Sequence, residues 1–112
     1  METRDLAELV GFSPDGPTRQ TVFESDRLWS QLVCLEQGQQ VGPITDESSD
    51  GVFAVVAGRV VIQVNRRRKR LGQWGCALVP AGSEVTVTNA GGDPAVILVV
   101  TAPPPTPRAT SG

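Results

Sequence analysis

The side chains that could carry out acid–base or nucleophilic chemistry in this chain are carboxylates, thiols and a lysine, because the sequence contains no histidine. Glu36, Glu47 and Glu84 are candidates for proton transfer if they are buried in a cleft. Cys34 and Cys76 are not spaced like a metal-binding pair, and neither has a histidine partner that would generate a thiolate. Catalysis therefore stays an open hypothesis, and we predict no catalytic residue.

Five consecutive basic residues, Arg66 to Arg70, are the second chemically distinctive feature. They lie where two strands should be joined, so we expect an exposed hairpin connection over residues 65–70. Such a run could contact nucleic acid, a phosphate-bearing ligand or an acidic partner. The formal net charge of the whole chain is −2, and nucleic-acid-binding proteins usually carry a basic face. We therefore do not expect nucleic acid as a partner.

The elements that must position these residues are predicted to be strands. The chain contains 12 Gly and nine Pro, which supply frequent turns, and its apolar residues alternate with polar ones. The predicted strands cover residues 21–23, 28–35, 52–57, 59–64, 71–74, 76–79, 84–88 and 95–100, the last of which is nearly continuously apolar, and another segment opens at Gly42-Pro43. The pattern predicts an all-β domain of about eight or more short antiparallel strands, arranged as a sandwich or barrel.

The predicted domain organisation has three parts. Residues 1–20 form an N-terminal segment with a short helix followed by a turn, residues 21–102 form the barrel, and residues 103–112 form a Pro-rich flexible tail. The sequence has no apolar run long enough to span a membrane and no signal peptide at its start. We therefore expect no membrane partner and a cytoplasmic location.

The segment from Pro80 to Asn89 resembles the second motif of the cupin superfamily, with its Pro-x-Gly and its asparagine at the right distance. Gly38 and Gly58 bracket a region that is similar to the first cupin motif. The resemblance covers residues 28–100 and implies a double-stranded β-helix, or jelly-roll, barrel. It also implies a homodimer, as cupins commonly are.

Cupins hold Fe, Mn, Ni or Zn through imidazole nitrogens and one carboxylate. The resemblance places the carboxylate position at Gly51 and one histidine position at Val85, and neither side chain can bind a metal. The other two histidine positions fall on Thr45 and Glu47, or on Ile44 and Asp46 in a register shifted by one residue. We therefore expect no metal and no cofactor.

Strand alternation places Phe53 on the same face as Gly51, so the implied barrel interior is apolar. The resemblance thus implies a degenerate ligand pocket formed by Thr45, Glu47, Gly51, Phe53 and Val85. The leading hypothesis is a metal-free cupin-like barrel that binds a small, mainly apolar molecule or serves as a structural or regulatory module. Two alternatives remain open: a small-metabolite enzyme (isomerase, cyclase or dioxygenase-like) that uses carboxylates at the barrel mouth, and a partner-binding module that uses the basic hairpin loop.

Overall fold

The computed structural model describes residues 1–105 and contains one short 3-10 helix and nine strands within that range. The helix spans Leu6–Leu9. The strands are β1 (Thr18–Glu24), β2 (Trp29–Leu35), β3 (Gln40–Thr45), β4 (Asp50–Ala57), β5 (Val60–Val64), β6 (Arg67–Leu71), β7 (Cys76–Val79), β8 (Glu84–Thr88) and β9 (Ala95–Ala102). No helix in the described range is long and apolar enough to cross a membrane.

The strands form two antiparallel sheets whose inner faces share one core. The larger sheet has five strands in the order β1-β2-β9-β4-β7, and the smaller has four in the order β3-β8-β5-β6. Apart from the consecutive pairs β1–β2 and β5–β6, neighbours in each sheet come from distant parts of the chain, as a jelly-roll connectivity requires. The predicted all-β fold with antiparallel strands is confirmed.

The core consists almost entirely of branched aliphatic side chains on alternate strand positions. Val55 on β4 lies opposite Ile97 on β9, which in turn lies opposite Val33 on β2. Ile62 on β5 lies opposite Val87 on β8 in the other sheet. All five are buried in one cluster, and each contributes roughly 1.5–3 kcal/mol relative to an exposed position.

The N-terminal segment packs against the outer face of the five-stranded sheet. Asp5 caps the short helix by accepting a hydrogen bond from the N–H of Ala7 at 3.0 Å. The apolar side chains of Leu6, Leu9 and Phe12 pack against buried residues of that face. Strand β1 begins at Thr18, so the predicted boundary at residue 20 falls inside a strand and this segment is continuous with the barrel.

The prediction that all of residues 65–70 form the hairpin connection is wrong. Val64 pairs with Arg67, so the connection contains only Asn65 and Arg66, and Arg67 begins strand β6. Asn65 adopts a φ of 54°, which asparagine tolerates better than most residues do. Because β6 lies at a sheet edge, its charged side chains reach water from both faces, and a basic run can therefore form a strand.

The predicted strand over residues 71–74 is also wrong beyond its first residue. Leu71 ends β6, and the chain then turns through Gly72 to Gly75, with the N–H of Gly75 donating to the carbonyl of Gly72 at 2.9 Å. Trp74 in this turn has a φ of 74° and is exposed. The two glycines therefore act as turn residues rather than strand residues.

The predicted flexible tail falls partly within the described range. Pro103 accepts a hydrogen bond from the hydroxyl of the buried Ser49, which joins the end of β9 to the loop between β3 and β4. Residues 106–112 of the predicted tail lie outside the described residues.

Candidate functional site

A cavity of about 500 Å³ opens between the two sheets at one end of the barrel. Small-molecule sites commonly measure about 300–1,000 Å³, so the cavity is large enough for a metabolite-sized ligand. Its apolar floor is formed by Trp29, Ile44, Phe53, Val79, Val85 and Val99. The floor belongs mostly to the shared core face, whereas the opening is bordered by the β3–β4 loop and the β7–β8 turn.

Three strands of the larger sheet position the back wall of this cavity. Gly51 and Phe53 on β4 lie opposite Thr101 and Val99 on β9. Thr101 in turn lies opposite Trp29 on β2, and its hydroxyl donates to the Trp29 carbonyl at 3.2 Å. Since side chains two residues apart share a face, this register directs all five residues toward the interior.

All five residues predicted for the pocket line this cavity: Thr45, Glu47, Gly51, Phe53 and Val85. Ile44 and Asp46, the choices of the shifted register, line it as well. Glu36 and Glu84, which the sequence offered as acid–base candidates, are not among the lining residues. Ligand binding by the five residues remains a prediction.

A β-bulge in β3 explains why the residues chosen by both predicted registers line the cavity. Val41 pairs with Val87, and Ile44 pairs with Val85, so β3 has one more residue than β8 between the two pairs. The bulge occurs at Gly42-Pro43, where Gly42 has a φ of 99°. The extra residue reverses the alternation, so Ile44 faces inward like Val41. Beyond Thr45 the chain leaves the sheet and borders the opening.

Hydrogen bonds accepted by two carboxylates hold the rim of the cavity. The Asp46 carboxylate accepts hydrogen bonds from the N–H groups of Ser48 and Ser49 at 2.9 and 3.1 Å. The Asp50 carboxylate accepts from the N–H of Ala81 at 2.8 Å, which joins the first residue of β4 to the β7–β8 turn. Among residues 1–105, no donor is within hydrogen-bond distance of the Glu47 carboxylate, which leaves it available at the rim.

The residues at the implied metal positions do not fit an imidazole–carboxylate site. A Cβ atom at Gly51 would lie 3.2 Å from Cε1 of Phe53, so the aromatic ring takes the space next to the implied carboxylate position. Val85 is buried and apolar. Within residues 1–105, no group of three or more His, Cys, Asp or Glu side chains is placed to hold a metal ion.

The cavity becomes narrow and apolar below the mouth. A small void of about 30 Å³ lies under it, bordered by Phe53, Val87 and Ile97. Farther along the axis the barrel is filled by the core cluster. At the opposite end the fully buried Asn89 donates to the carbonyls of Leu35 and Asp93 at 3.0 and 2.9 Å. Asn89 thus ties the end of β2 to the β8–β9 turn.

Strands β1, β2 and β9 contribute cavity residues that no motif in the sequence predicted, namely Arg19, Trp29, Gln31, Val99 and Thr101. A signal was present in β2, where Trp29, Gln31, Val33 and Leu35 alternate along one face. That face lies beside the inner face of β9 because β2 and β9 are neighbours in the sheet. No short motif encodes this strand order.

Comparison with known proteins agrees with this geometry. The sequence profile of a family described as the cupin domain matches residues 31–101. The crystal structure of TT1209 from Thermus thermophilus is similar with a TM-score of 0.88 and 36% sequence identity, covering 92% of this chain and 98% of that chain. A search of curated proteins finds no match.

Two more distant structures share the fold. An uncharacterized conserved protein with a double-stranded β-helix domain from Klebsiella pneumoniae gives a TM-score of 0.86 at 19% identity, covering 92% of this chain and 90% of that one. KdgF from a Halomonas species gives a TM-score of 0.77 at 18% identity, covering 86% of each chain. These similarities assign the double-stranded β-helix fold.

Proposed function

The chain belongs to the cupin superfamily, and from that premise we propose that it binds a small, mainly apolar molecule in the cavity at the mouth of its barrel. The observation that supports this proposal is an apolar floor beneath a polar rim in a cavity of about 500 Å³. Ligand sites of soluble domains commonly combine such a floor with a few polar groups that fix orientation.

The floor and the rim define the kind of ligand. Phe53, Val85 and Val99 offer a desolvated surface to an apolar ring or chain, whose burial provides roughly 25 cal/mol per Å². Thr45 and the uncommitted Glu47 carboxylate stand at the opening, where they can hydrogen-bond a polar end of the ligand. Such binding would suit a regulatory or structural module as well as a carrier of a small molecule.

An enzyme acting through carboxylates at the barrel mouth is less well supported. Asp46 and Asp50 already accept hydrogen bonds from backbone N–H groups that hold the rim together. Proton transfer through either group would weaken the loop that shapes the opening. The enzyme hypothesis therefore depends on Glu47 alone, and we do not adopt it.

Thermal unfolding with a panel of small apolar fragments tests the proposal. A fragment at about 100 times its Kd adds about 2.7 kcal/mol of stability and raises Tm by several degrees. Ile44→Trp should fill part of the cavity and remove most of that shift in Tm. The matched control is Val10→Trp, because Val10 and Ile44 are similarly exposed, at 39% and 38%, and Val10 lies outside the cavity.

The expected result is a fragment-dependent rise in Tm for the unaltered protein and for Val10→Trp, with a rise reduced by at least about half for Ile44→Trp. Circular dichroism of the two variants without fragment verifies that both fold. An equal rise in Tm for Ile44→Trp would show that the fragment binds elsewhere, and no rise with any fragment would contradict the proposal.

We also propose that the protein forms a homodimer through the outer face of its five-stranded sheet. Leu78 on β7 and its cross-strand neighbour Val52 on β4 are 66% and 41% exposed. The neighbouring positions Ala54 and Cys76 on this face are uncharged, whereas Arg66 and Arg67 border Leu78 on its other side. A second copy can pack its own apolar patch against this one, as a two-fold interface requires, with these basic residues at the border.

Light scattering coupled to gel filtration tests the dimer. The unaltered chain should elute with twice the mass of one chain, and Leu78→Glu should shift the mass to that of one chain because it buries charge in the interface. Val10→Glu, which adds the same charge to an exposed apolar position elsewhere, should leave the dimer intact. A monomeric unaltered protein would refute the proposal.

A further inference from the structure

Strand β6 is an unpartnered edge of the four-stranded sheet and carries a dense positive charge. It pairs only with β5, at the end of the order β3-β8-β5-β6. Together with the preceding turn residue it contains Arg66 to Arg70, which supply five of the ten basic side chains of the chain. Because alternate residues of an edge strand direct N–H and C=O groups away from the sheet, β6 presents unpaired backbone donors and acceptors beside these charges.

The positive charges lie on both faces of the edge. Arg68 and Arg70 pair with Gln63 and Val61 on the outer face of the sheet. Arg67 and Lys69 pair with Val64 and Ile62, whose side chains belong to the core, so these two basic groups extend past the edge of the core into water. All of these basic residues are exposed.

These charges have no ionic partner within the described part of the chain. The single ion pair among residues 1–105 joins Arg4 and Glu2, far along the sequence from β6. The chain as a whole carries a net charge of −2, so the basic strand is a local exception on an otherwise acidic protein. An exposed run of unpaired positive charge attracts an anionic partner over about a Debye length, and long-range attraction of this kind raises association rates.

We propose that an acidic peptide segment of a partner protein binds β6 as an added strand. Both features of the edge fit such a segment: the unpaired backbone groups match those of an extended peptide, and the basic side chains match its carboxylates. A second copy of this chain does not fit, because pairing two β6 strands would oppose their basic runs. A nucleic acid fits less well, since it has no complementary row of backbone amides and residues 66–70 include no aromatic side chain for base stacking.

Binding of short probes to the full chain, measured by fluorescence anisotropy, tests this inference. The first probe is a labelled peptide of about seven residues in which Glu and Val alternate, as a pleated added strand requires. The second is the same peptide with every backbone N–H methylated, which keeps the charge and removes the donors. The third is an oligothymidylate of about ten nucleotides.

Two protein variants complete the experiment. Arg68→Glu reverses one charge at the centre of β6, and Arg27→Glu makes the same change at an exposed position in the β1–β2 turn. Both positions are exposed, so folding should be unaffected, and circular dichroism verifies this. Comparing them separates a local contact from a general effect of net charge.

The alternating peptide should bind, and its Kd should rise about tenfold between about 50 and 300 mM salt. Arg68→Glu should raise the Kd of the peptide at least about fivefold. For Arg27→Glu the Kd should stay within about twofold of that of the unaltered protein. Methylation of the peptide backbone should weaken binding at least about tenfold. Equal binding of the methylated peptide, tighter binding of the oligothymidylate, or no peptide binding at low salt would overturn the inference. The fragment-dependent rise in Tm at the barrel mouth is unaffected by any of these results.

Discussion

The chemistry available at the barrel mouth depends on the pair Gly51 and Phe53. The resemblance to cupins places a metal-binding carboxylate at residue 51, yet a Cβ atom there would lie 3.2 Å from the Phe53 ring. Placing a glutamate at residue 51 would therefore require the ring to move, and would remove apolar surface from the floor. Gly51 and Phe53 therefore form an apolar wall of the cavity at the place where the resemblance implies a metal-binding carboxylate.

Asn89 illustrates a motif residue whose role is structural. Its side chain donates to two carbonyls, and its carbonyl oxygen accepts from the N–H of Gly91 at 3.0 Å. These bonds satisfy the polar groups of the buried amide and tie the end of β2 to the β8–β9 turn. The asparagine of the second cupin motif therefore supports the fold here, and it is not among the residues that line the cavity.

Gly58→Ala should strongly destabilise the protein. Gly58 has a φ of 79°, and an added Cβ would collide with the carbonyl oxygen of Pro94 and lie 2.8 Å from the Cα of Ala95. Both backbone strain and collision oppose the substitution, so we expect a loss of at least about 2 kcal/mol in the free energy of unfolding. Urea unfolding followed by circular dichroism measures it.

The matched control is Gly72→Ala, since no atom lies within 4 Å of a Cβ built at Gly72. Its free energy of unfolding should stay within about 1 kcal/mol of the unaltered protein or rise slightly. If the two variants were equally stable, the tight β4–β5 turn at Gly58 would not have the geometry described here.

Among the elements, the sequence predicted strands well where an alternating or continuously apolar segment lay between turn residues. The predicted ranges 76–79 and 84–88 coincide with β7 and β8, and residues 52–57 lie within β4. Strand β3 could not be predicted in register because the bulge at Gly42-Pro43 shifts the alternation between Val41 and Ile44. The ambiguity between Thr45 and Ile44 is therefore a physical property of the strand.

Strand β6 is a second element that the local sequence pattern did not predict. A run of five basic residues has no apolar alternation, so its sequence predicts an exposed connection. The run nevertheless forms a strand because its backbone pairs with β5 on one side and its side chains meet water on both faces. Position at the edge of a sheet decides this outcome, and that position depends on the order of strands in the whole fold.

At the scale of the whole molecule, the cavity is assembled from parts that are distant along the chain. Trp29 and Thr101 meet through a hydrogen bond across β2 and β9, and Pro105 also borders the cavity. Motif spacing placed five residues at the mouth because they lie close to the two cupin motifs. It could not place Trp29 or Thr101, since their proximity arises from antiparallel pairing of the second and last strands.

The N-terminal segment also gains its role only from the complete fold. The sequence predicted a short helix followed by a turn, and the structure shows that its apolar residues cover part of the outer sheet face around Leu32 and Val96. The remaining part of that face, around Val52 and Leu78, stays exposed. Covering one part with a chain segment leaves a defined apolar patch for the proposed dimer.

For the molecule as a whole, we propose a cupin barrel in which an apolar cavity takes the place of a metal site. Isothermal titration calorimetry, using the fragment that raises Tm most, tests this claim most directly. The protein would be titrated after treatment with a chelator, and again after addition of Mn, Fe, Ni or Zn. We predict that the fragment binds the chelator-treated protein and that its Kd changes by less than about twofold on addition of any of these metals. Loss of binding after chelation, restored by one of the metals, would contradict the claim.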